Sequence, residues 1–309
     1  MSTTHAQTPP TERSTKGPFR LALTMVIVTA VTILWGALTT STGSGLAFAD
    51  WPLSDGELMP ESSYTTLPGF LEHFHRLFAG LAGLLALSLA IWLQSKKLGD
   101  AKARATAWLG GSLILTQGII GGVGVLKGLP AATSVTHGTL AQLTLSTFAW
   151  ATYQLSDRYR ATPPAPGVAP GSGRKLVLAA LFFLVLQTVI GAVARHTNSP
   201  HALWTHVGHS LVVFLVGSIA TAFAIGKLAD TPGIRGLSRA IVLLLIVQIA
   251  LGFVALAIRN TAGKTPENVA NFGTATVISV HVLLGALLTV LMASLAAHVF
   301  RATRSPQLS

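Results

Sequence analysis

The spacing of charges constrains this chain more than any other feature. Asp, Glu, Lys and Arg make up only 10% of the 309 residues, against about a quarter in soluble domains. They leave eight charge-free stretches, at 21–49, 77–95, 105–126, 128–156, 176–194, 196–226, 240–258 and 268–300, each at least 19 residues long. A helix needs about 20 mostly apolar residues to cross a bilayer. In hydrocarbon the backbone must satisfy its own polar groups, which helices do. The expected fold is an all-α integral membrane protein with eight transmembrane helices, spans one to eight in chain order. A soluble globular enzyme is excluded.

Residues 1–18 are polar and hold no apolar core, so they read as a cytoplasmic tail rather than a signal peptide. With the N-terminus inside, the inner segments carry Arg13, Lys16, Arg20, Lys96, Lys97, Lys102, Arg104, Arg158, Arg160, Arg174, Lys175, Lys227, Arg235, Arg239, Arg301 and Arg304. That is 16 of the 21 basic residues, and Arg76, Lys127, Arg195, Arg259 and Lys264 fall outside. The positive-inside rule then places both termini, including the tail 301–309, in the cytoplasm. The net charge of +11 reads as topology and contact with anionic lipid, with no nucleic acid as partner. The first outer loop, 43–70, holds Asp50, Asp55, Glu57 and Glu61 but no Lys or Arg, and a loop of that length is often functional. Segment 156–173, rich in Pro and Gly, is expected to be a flexible cytoplasmic linker between halves 19–155 and 174–300.

Those halves look like parallel four-helix repeats. Gln117/Gly121, Gln187/Gly191 and Gln248/Gly252 each place Gln four residues before Gly in an odd-numbered span, and span one offers Gly36 without the Gln. One helical turn puts both on one face, where Gly permits close helix approach and Gln bonds across the interface. The even-numbered spans carry His75, His137, His209 and His281, so His75 matches His209 and His137 matches His281. Each lies about 6–12 Å below the outer surface at ~1.5 Å per residue. Intramembrane ionisable groups are rare and point to function, although a single histidine is as readily a packing residue. Cysteine is absent, which removes disulfides, thiolate metal sites, iron–sulfur clusters and c-type heme attachment. Facing imidazoles in a Gly-lined bundle suit heme iron, and the repeat suggests one pair per half. In span six His206, one turn before His209, is either an outer partner or the ligand itself.

Glu72 precedes His75 by three residues on the same face. It is either a carboxylate favoured by the helix dipole or an acid, base or polar anchor beside a ligand. Arg76 can pair with heme propionates or with Glu72. His73 points to another face. His196 and His201 fall in an outer loop. His5 and His298 are expected to be solvated or interfacial.

These residues resemble the heme A synthase family of eight-helix membrane proteins over nearly the whole chain from Gly36. TGSGLAFADWPLSDGELMP (42–60) is similar to the family's loop, Glu72-His73-Phe74-His75-Arg76 to its E-x-x-H-R, and QGIIGGVGVL (117–126) with His137 to its third and fourth spans. The resemblance implies oxidation of a heme O methyl to the formyl of heme A by successive hydroxylation, for terminal oxidase biogenesis. It implies a b-type heme (heme b) on His209 and His281, and substrate heme O between His75 and His137 with Glu72 as catalytic or positioning carboxylate. Heme O synthase and terminal oxidase assembly would be partners, and a homo-oligomer is compatible with it. Three departures stand out. Phe48 and Ser54 occupy the region where many bacterial members carry a cysteine pair. Thr40 lies near an expected Arg, although the matching Arg195 of the second half is present. Ser210 rather than Arg follows His209.

Rival readings are weaker. A transmembrane electron carrier needs hemes near both leaflets, and the candidate ligands all lie in the outer half. A transporter would show polar groups at the midplane. A b-type cytochrome or assembly factor that binds heme without modifying it would not need Glu72 beside His75. The expectation is an enzyme of the bacterial cytoplasmic membrane.

Overall fold

The computed structural model describes residues 14–261 and 271–305, except for the side chains of 259–261. His5, Arg13, Lys264 and the Arg259 side chain therefore lie outside the described residues. Among the described residues the chain is all-α: α1 (Lys16–Ser41), α2 (Ser62–Thr65), α3 (Leu67–Lys96), α4 (Ala101–Leu126), α5 (Ala131–Leu155), α6 (Asp157–Ala161), α7 (Arg174–Thr197), α8 (Pro200–Leu228), α9 (Ile234–Thr261) and α10 (Phe272–Ala302). Seven of them, α1, α3, α4, α7, α8, α9 and α10, are long and apolar enough to cross a membrane. Helix α5 is equally long but falls short on apolarity.

The helix starts follow from capping chemistry. Thr66, Asp100, Ser199 and Asn271 each accept a backbone N–H three residues on, at 3.2, 2.7, 3.3 and 2.9 Å. Each satisfies a donor that the first turn leaves unpaired. Pro68 and Pro200 stand in first turns, where a missing N–H costs nothing.

In the first half α1 packs on α3, α3 on α4, α4 on α5, and α5 back on α1. In the second, α7, α8, α9 and α10 close a ring in the same way. Each half has its own core, around Met25, Leu89, Leu93 and Phe148 in one and Leu228, Ile241, Leu288 and Met292 in the other. The seam runs through α1, α5, α7 and α10, where Ile33, Leu145 and Ala286 form a small shared core. Thr188 Oγ1 donates to Gln142 Oε1 at 3.2 Å across it. This seam explains α5. It touches α1, α4, α7 and α10, so Gln142, Thr144, Ser146 and Thr152 are buried against protein, not lipid, and their polar groups find protein partners. The outer helices show the opposite pattern: Leu84, Leu115, Phe182, Leu211 and Leu243 are 62–68% exposed, as an apolar solvent requires.

Segment 156–173 differs from the expected flexible linker. It contains α6, and it is tied to the end of α10 by Ala165 N–H to Ala302 O (2.8 Å), Gly171 N–H to Thr303 O (2.9 Å) and Arg304 to Thr162 O (3.0 Å). Carbonyls that the ends of α10 and α6 leave without intrahelical partners accept these bonds. His298 also departs from expectation: it is 5% exposed and stacks on Tyr153 with ring centres 4.0 Å apart. His196 lies in the last turn of α7 and His201 in the first turn of α8, not in a free loop.

Candidate functional site

Four histidines stand six to nine residues into their helices: His75 in α3, His137 in α5, His206 in α8 and His281 in α10. Each ring seats against a glycine of the preceding long helix. A Cβ added at Gly36 would come 2.6 Å from His75 Cε1, at Gly121 2.9 Å from His137 Cε1, at Gly191 2.6 Å from His206 Cε1, and at Gly252 3.1 Å from His281 Cε1. Ordinary carbon contacts are ~3.5–4.0 Å, so three of these notches admit only glycine without movement.

The same helix fixes the protons. Nδ1 of His75 lies 3.1 Å from Thr32 O, that of His137 3.2 Å from Gln117 O, and that of His206 3.2 Å from Gln187 O. A carbonyl can only accept, so Nδ1 carries the hydrogen and Nε2 keeps its lone pair. The side-chain amides of Gln117, Gln187 and Gln248 donate to the backbone carbonyls of His137, His206 and His281 at 2.7, 2.9 and 2.9 Å, so the clasp is reciprocal at His137 and His206. His281 differs, since its Nδ1 has no partner among the described residues.

The rings form two pairs. His75 and His137 lie with centres 6.3 Å apart and planes at 78°; His206 and His281 lie 6.3 Å apart at 82°. Two imidazoles ligating one metal from opposite sides, at ~2.0 Å per metal–nitrogen bond, would hold their ring centres roughly 6 Å apart. Both pairs have that spacing. Two imidazoles leave an all-protein shell incomplete, but they complete an iron that brings four equatorial nitrogens of its own. The residues present therefore fit bis-histidine heme iron.

His209 is not brought against His281. Its Nδ1 lies 2.7 Å from Gln187 Oε1 and its ring packs near Phe183. Gln187 thus holds both His206 and His209 of α8, one through each end of its amide.

Glu72 and Arg76 face the first loop. Glu72 is 3% exposed; its Oε2 accepts from Phe48 N–H at 3.1 Å and its Oε1 pairs with Arg76. Arg76 also donates to the carbonyls of Asp50 (2.8 Å), Phe48 (3.3 Å) and Leu53. Four of the five guanidinium donors are engaged by the loop and Glu72, which leaves little for a propionate. Ser54 Oγ lies 3.0 Å from His73 Nδ1, and the Trp51 ring lies against Gly122 on α4. The loop that joins α1 to α3 therefore reaches across α3 and α4, the helices that carry His75 and the Gly121 notch. Asp50 closes its tip by accepting from Asp55 and Gly56 N–H, both at 2.9 Å. The Gly56 bond is the main reason its carboxyl titrates below the usual range. Arg195 bridges the halves instead, donating to Ala37 O at 2.8 Å and Ser41 Oγ at 2.7 Å on α1.

Thr32 and His73 were not singled out as site residues by the sequence. Thr32 contributes a backbone carbonyl, which leaves no side-chain signature. His73 had only the loop hydroxyl Ser54 as a clue.

The chain is 29% identical over 212 residues to the heme A synthase of Symbiobacterium thermophilum, covering 66% of this chain and 67% of the relative. It is 32% identical over 177 residues to that of Halalkalibacterium halodurans (57% of each chain) and 30% identical over 172 residues to that of Alkalihalophilus pseudofirmus (55% and 56%). The matched part thus spans between just over half and two thirds of these relatives. A family profile described as cytochrome oxidase assembly protein matches residues 19–212. That range takes in three of the four clasped histidines, and the fold supplies His281 opposite the third. With well over half its length matched, the chain belongs to the cytochrome oxidase assembly protein family that includes the bacterial heme A synthases.

Proposed function

We propose that the protein is a heme A synthase that oxidises the methyl group of heme O, by successive hydroxylation, to the formyl group of heme A for terminal oxidase biogenesis. The observation that carries this reading is the pair of 6.3 Å bis-imidazole sites in a chain of this family. In this reading α5 also crosses the membrane, and the eight long helices form two parallel four-helix repeats. Both termini lie on the cytoplasmic face, in accord with the inner excess of Lys and Arg.

The two pairs have different roles in the proposal. His206 and His281 hold a resident b-type heme, with His206 taking the place expected of His209. His75 and His137 hold the iron of heme O. A resident heme supplies one-electron redox capacity. The chain supplies the rest. Glycine notches seat all four imidazoles, and Nδ1 bonds at His75, His137 and His206 direct Nε2 away from the clasp. The α1–α3 loop, lying across α3 and α4, covers the first pair and limits water entry. Glu72, one turn before His75, is the carboxylate placed to hold or accept a proton at the loop–helix junction, with Arg76 fixing its position. Heme O synthase and the terminal oxidase assembly are the expected donor and recipient.

The test is expression in a host supplied with heme O, followed by extraction and mass analysis of the pigments. Heme A or its hydroxylated intermediate is expected, and both are expected to be lost in Glu72→Ala and His75→Ala. Heme B with unmodified heme O would instead establish a cytochrome or assembly factor. Absence of any heme would overturn the bis-histidine reading.

A further inference from the structure

At the end of the bundle away from the histidine pairs, a cavity of about 580 Å³ opens between the start of α1, the α3–α4 turn, α6 and the end of α10. That volume is within the range of small-ligand pockets, ~300–1,000 Å³. Its walls carry Lys16, Lys96, Lys97, Arg160 and Arg301 against two carboxylates, Asp100 and Asp157. Both carboxylates are already engaged. Asp100 caps α4 through Ala103 N–H at 2.7 Å, and Asp157 pairs with Arg160. Arg301 donates to Tyr159 O at 2.8 Å and lies over the Tyr159 ring, so its charge is fixed at the wall. The ammonium groups of Lys16 and Lys97 have no partner among the described residues. Excess positive charge therefore faces the cavity.

A second, independent feature points to a ligand. Gln154 lines the cavity, is 8% exposed, and its Oε1 has no hydrogen-bond partner. A buried amide oxygen without a partner is destabilising, and a ligand hydroxyl would satisfy it. The ligand must then combine an anionic phosphate with a neighbouring hydroxyl. The cavity lies at the ends of α1, α3 and α10, which is headgroup level for a chain of this kind, and basic pockets there recruit anionic lipids.

We propose that this cavity is a binding site for an anionic phospholipid with a hydroxylated headgroup, of the phosphatidylglycerol type. The phosphate sits between Lys16 and Lys97, and the headgroup hydroxyl donates to Gln154 Oε1. The site is independent of the heme reading, because it shares no residue with the histidine pairs.

The test is native mass spectrometry of the full-length protein released from detergent, titrated with phosphatidylglycerol, phosphatidic acid, phosphatidylethanolamine or inorganic phosphate. Phosphatidylglycerol is expected to bind at least about tenfold more tightly than phosphatidylethanolamine. The double variant Lys16→Gln/Lys97→Gln should lose that preference while its heme content and melting temperature stay unchanged. Gln154→Leu, which removes the acceptor but fills the same space, should bring phosphatidylglycerol down to the level of phosphatidic acid. Equal lipid binding by wild type and the lysine variant would overturn the proposal. So would displacement of the lipid by millimolar phosphate, which would show a soluble-anion site.

Discussion

The glycine notches give the sharpest quantitative test, because their clearances differ. An alanine at Gly191 places a methyl 2.6 Å from His206 Cε1 and 2.9 Å from Nδ1. Ordinary contact at ~3.5–4.0 Å requires the ring to retreat by about 1 Å. The Nδ1 bond to Gln187 O, already 3.2 Å long, does not survive that displacement. Metal–ligand distances tolerate only about ±0.2 Å, so the pair with His281 loses its spacing. At Gly252 the methyl would lie 3.1 Å from His281 Cε1, and a retreat of about 0.4 Å suffices. Overpacking of this kind costs about 1–3 kcal/mol, with Gly191→Ala at the upper end. Gly111→Ala and Gly226→Ala, where an added Cβ meets nothing within 4 Å, are the controls. They gain up to about 1 kcal/mol of helix propensity. The assay is heme per protein by pyridine hemochrome, together with the reduced spectrum, on purified variants. Gly191→Ala should lose most of the second-half heme, Gly252→Ala a smaller part, and the controls none. Full heme with an unchanged spectrum in Gly191→Ala would refute the notch argument. Equal losses in the controls would show that the effect is not steric.

Further expectations concern the same site and its loop. His206→Ala and His281→Ala should each abolish the second-half heme, while His209→Ala retains it with shifted bands; the reverse order in reduced spectra would reject the pairing of His206 with His281. Arg76→Ala leaves Glu72 buried without its partner, which costs about 3 kcal/mol or more; limited proteolysis should then cut within 48–58, a segment protected in the wild type. The Asp50 carboxyl titrates lower in the folded loop than the usual 3.8, chiefly through the Gly56 bond. Its support for the turn is therefore complete above that value and lost only as pH falls through the lower folded pKa. Hydrogen exchange at Asp55 and Gly56 should report a closed turn at neutral pH and opening only in strong acid, and Asp50→Asn should raise exchange at neutral pH but not in strong acid, where the wild type has already opened.

The spans were legible because hydrocarbon excludes charge, and excluded charge is visible in a sequence without any contact being known. Helix α5 shows the limit of that logic. Its charge-free stretch is long enough, yet its Thr, Ser and Gln residues lower its apolarity because it packs among four other helices. The Gln–Gly spacing was readable where the glutamine side chain donates across to the histidine carbonyl. It was not readable at Thr32, because the acceptor for His75 is a backbone oxygen that any residue supplies. The choice between His206 and His209 was obscured because both lie in the first turns of one helix. A signal was nevertheless present. Gly121 and His137 are 16 residues apart, and Gly191 stands 15 from His206 but 18 from His209, so hairpins of similar length favour His206. Arg76 was legible in its pairing with Glu72, one turn away, but not in its other contacts. Its donors are drawn to loop carbonyls that come near only after the chain has folded back.

The halves share a frame and differ in what covers it. In both, a glycine notch and a carbonyl one turn earlier hold a histidine, and the paired rings stand 6.3 Å apart. Over the first pair lies a loop fastened by Glu72, Arg76, His73 and Trp51. In the second half Gln187 spends its remaining acceptor on His209, which stiffens the helix behind the ligand. A resident cofactor is served by such backing, since it need never leave. A substrate needs a cover that opens, and a loop held by hydrogen bonds and one ion pair can open where a packed helix cannot. The seam then matters to both. Arg195, one turn past the Gly191 notch, bonds Ala37 beside the Gly36 notch and Ser41. Ser41 in turn meets Ser279, two residues before His281, at 3.2 Å. One guanidinium thus ties α7 to the α1 frame beside the first pair, and Ser41 ties that frame to the α10 frame of the second.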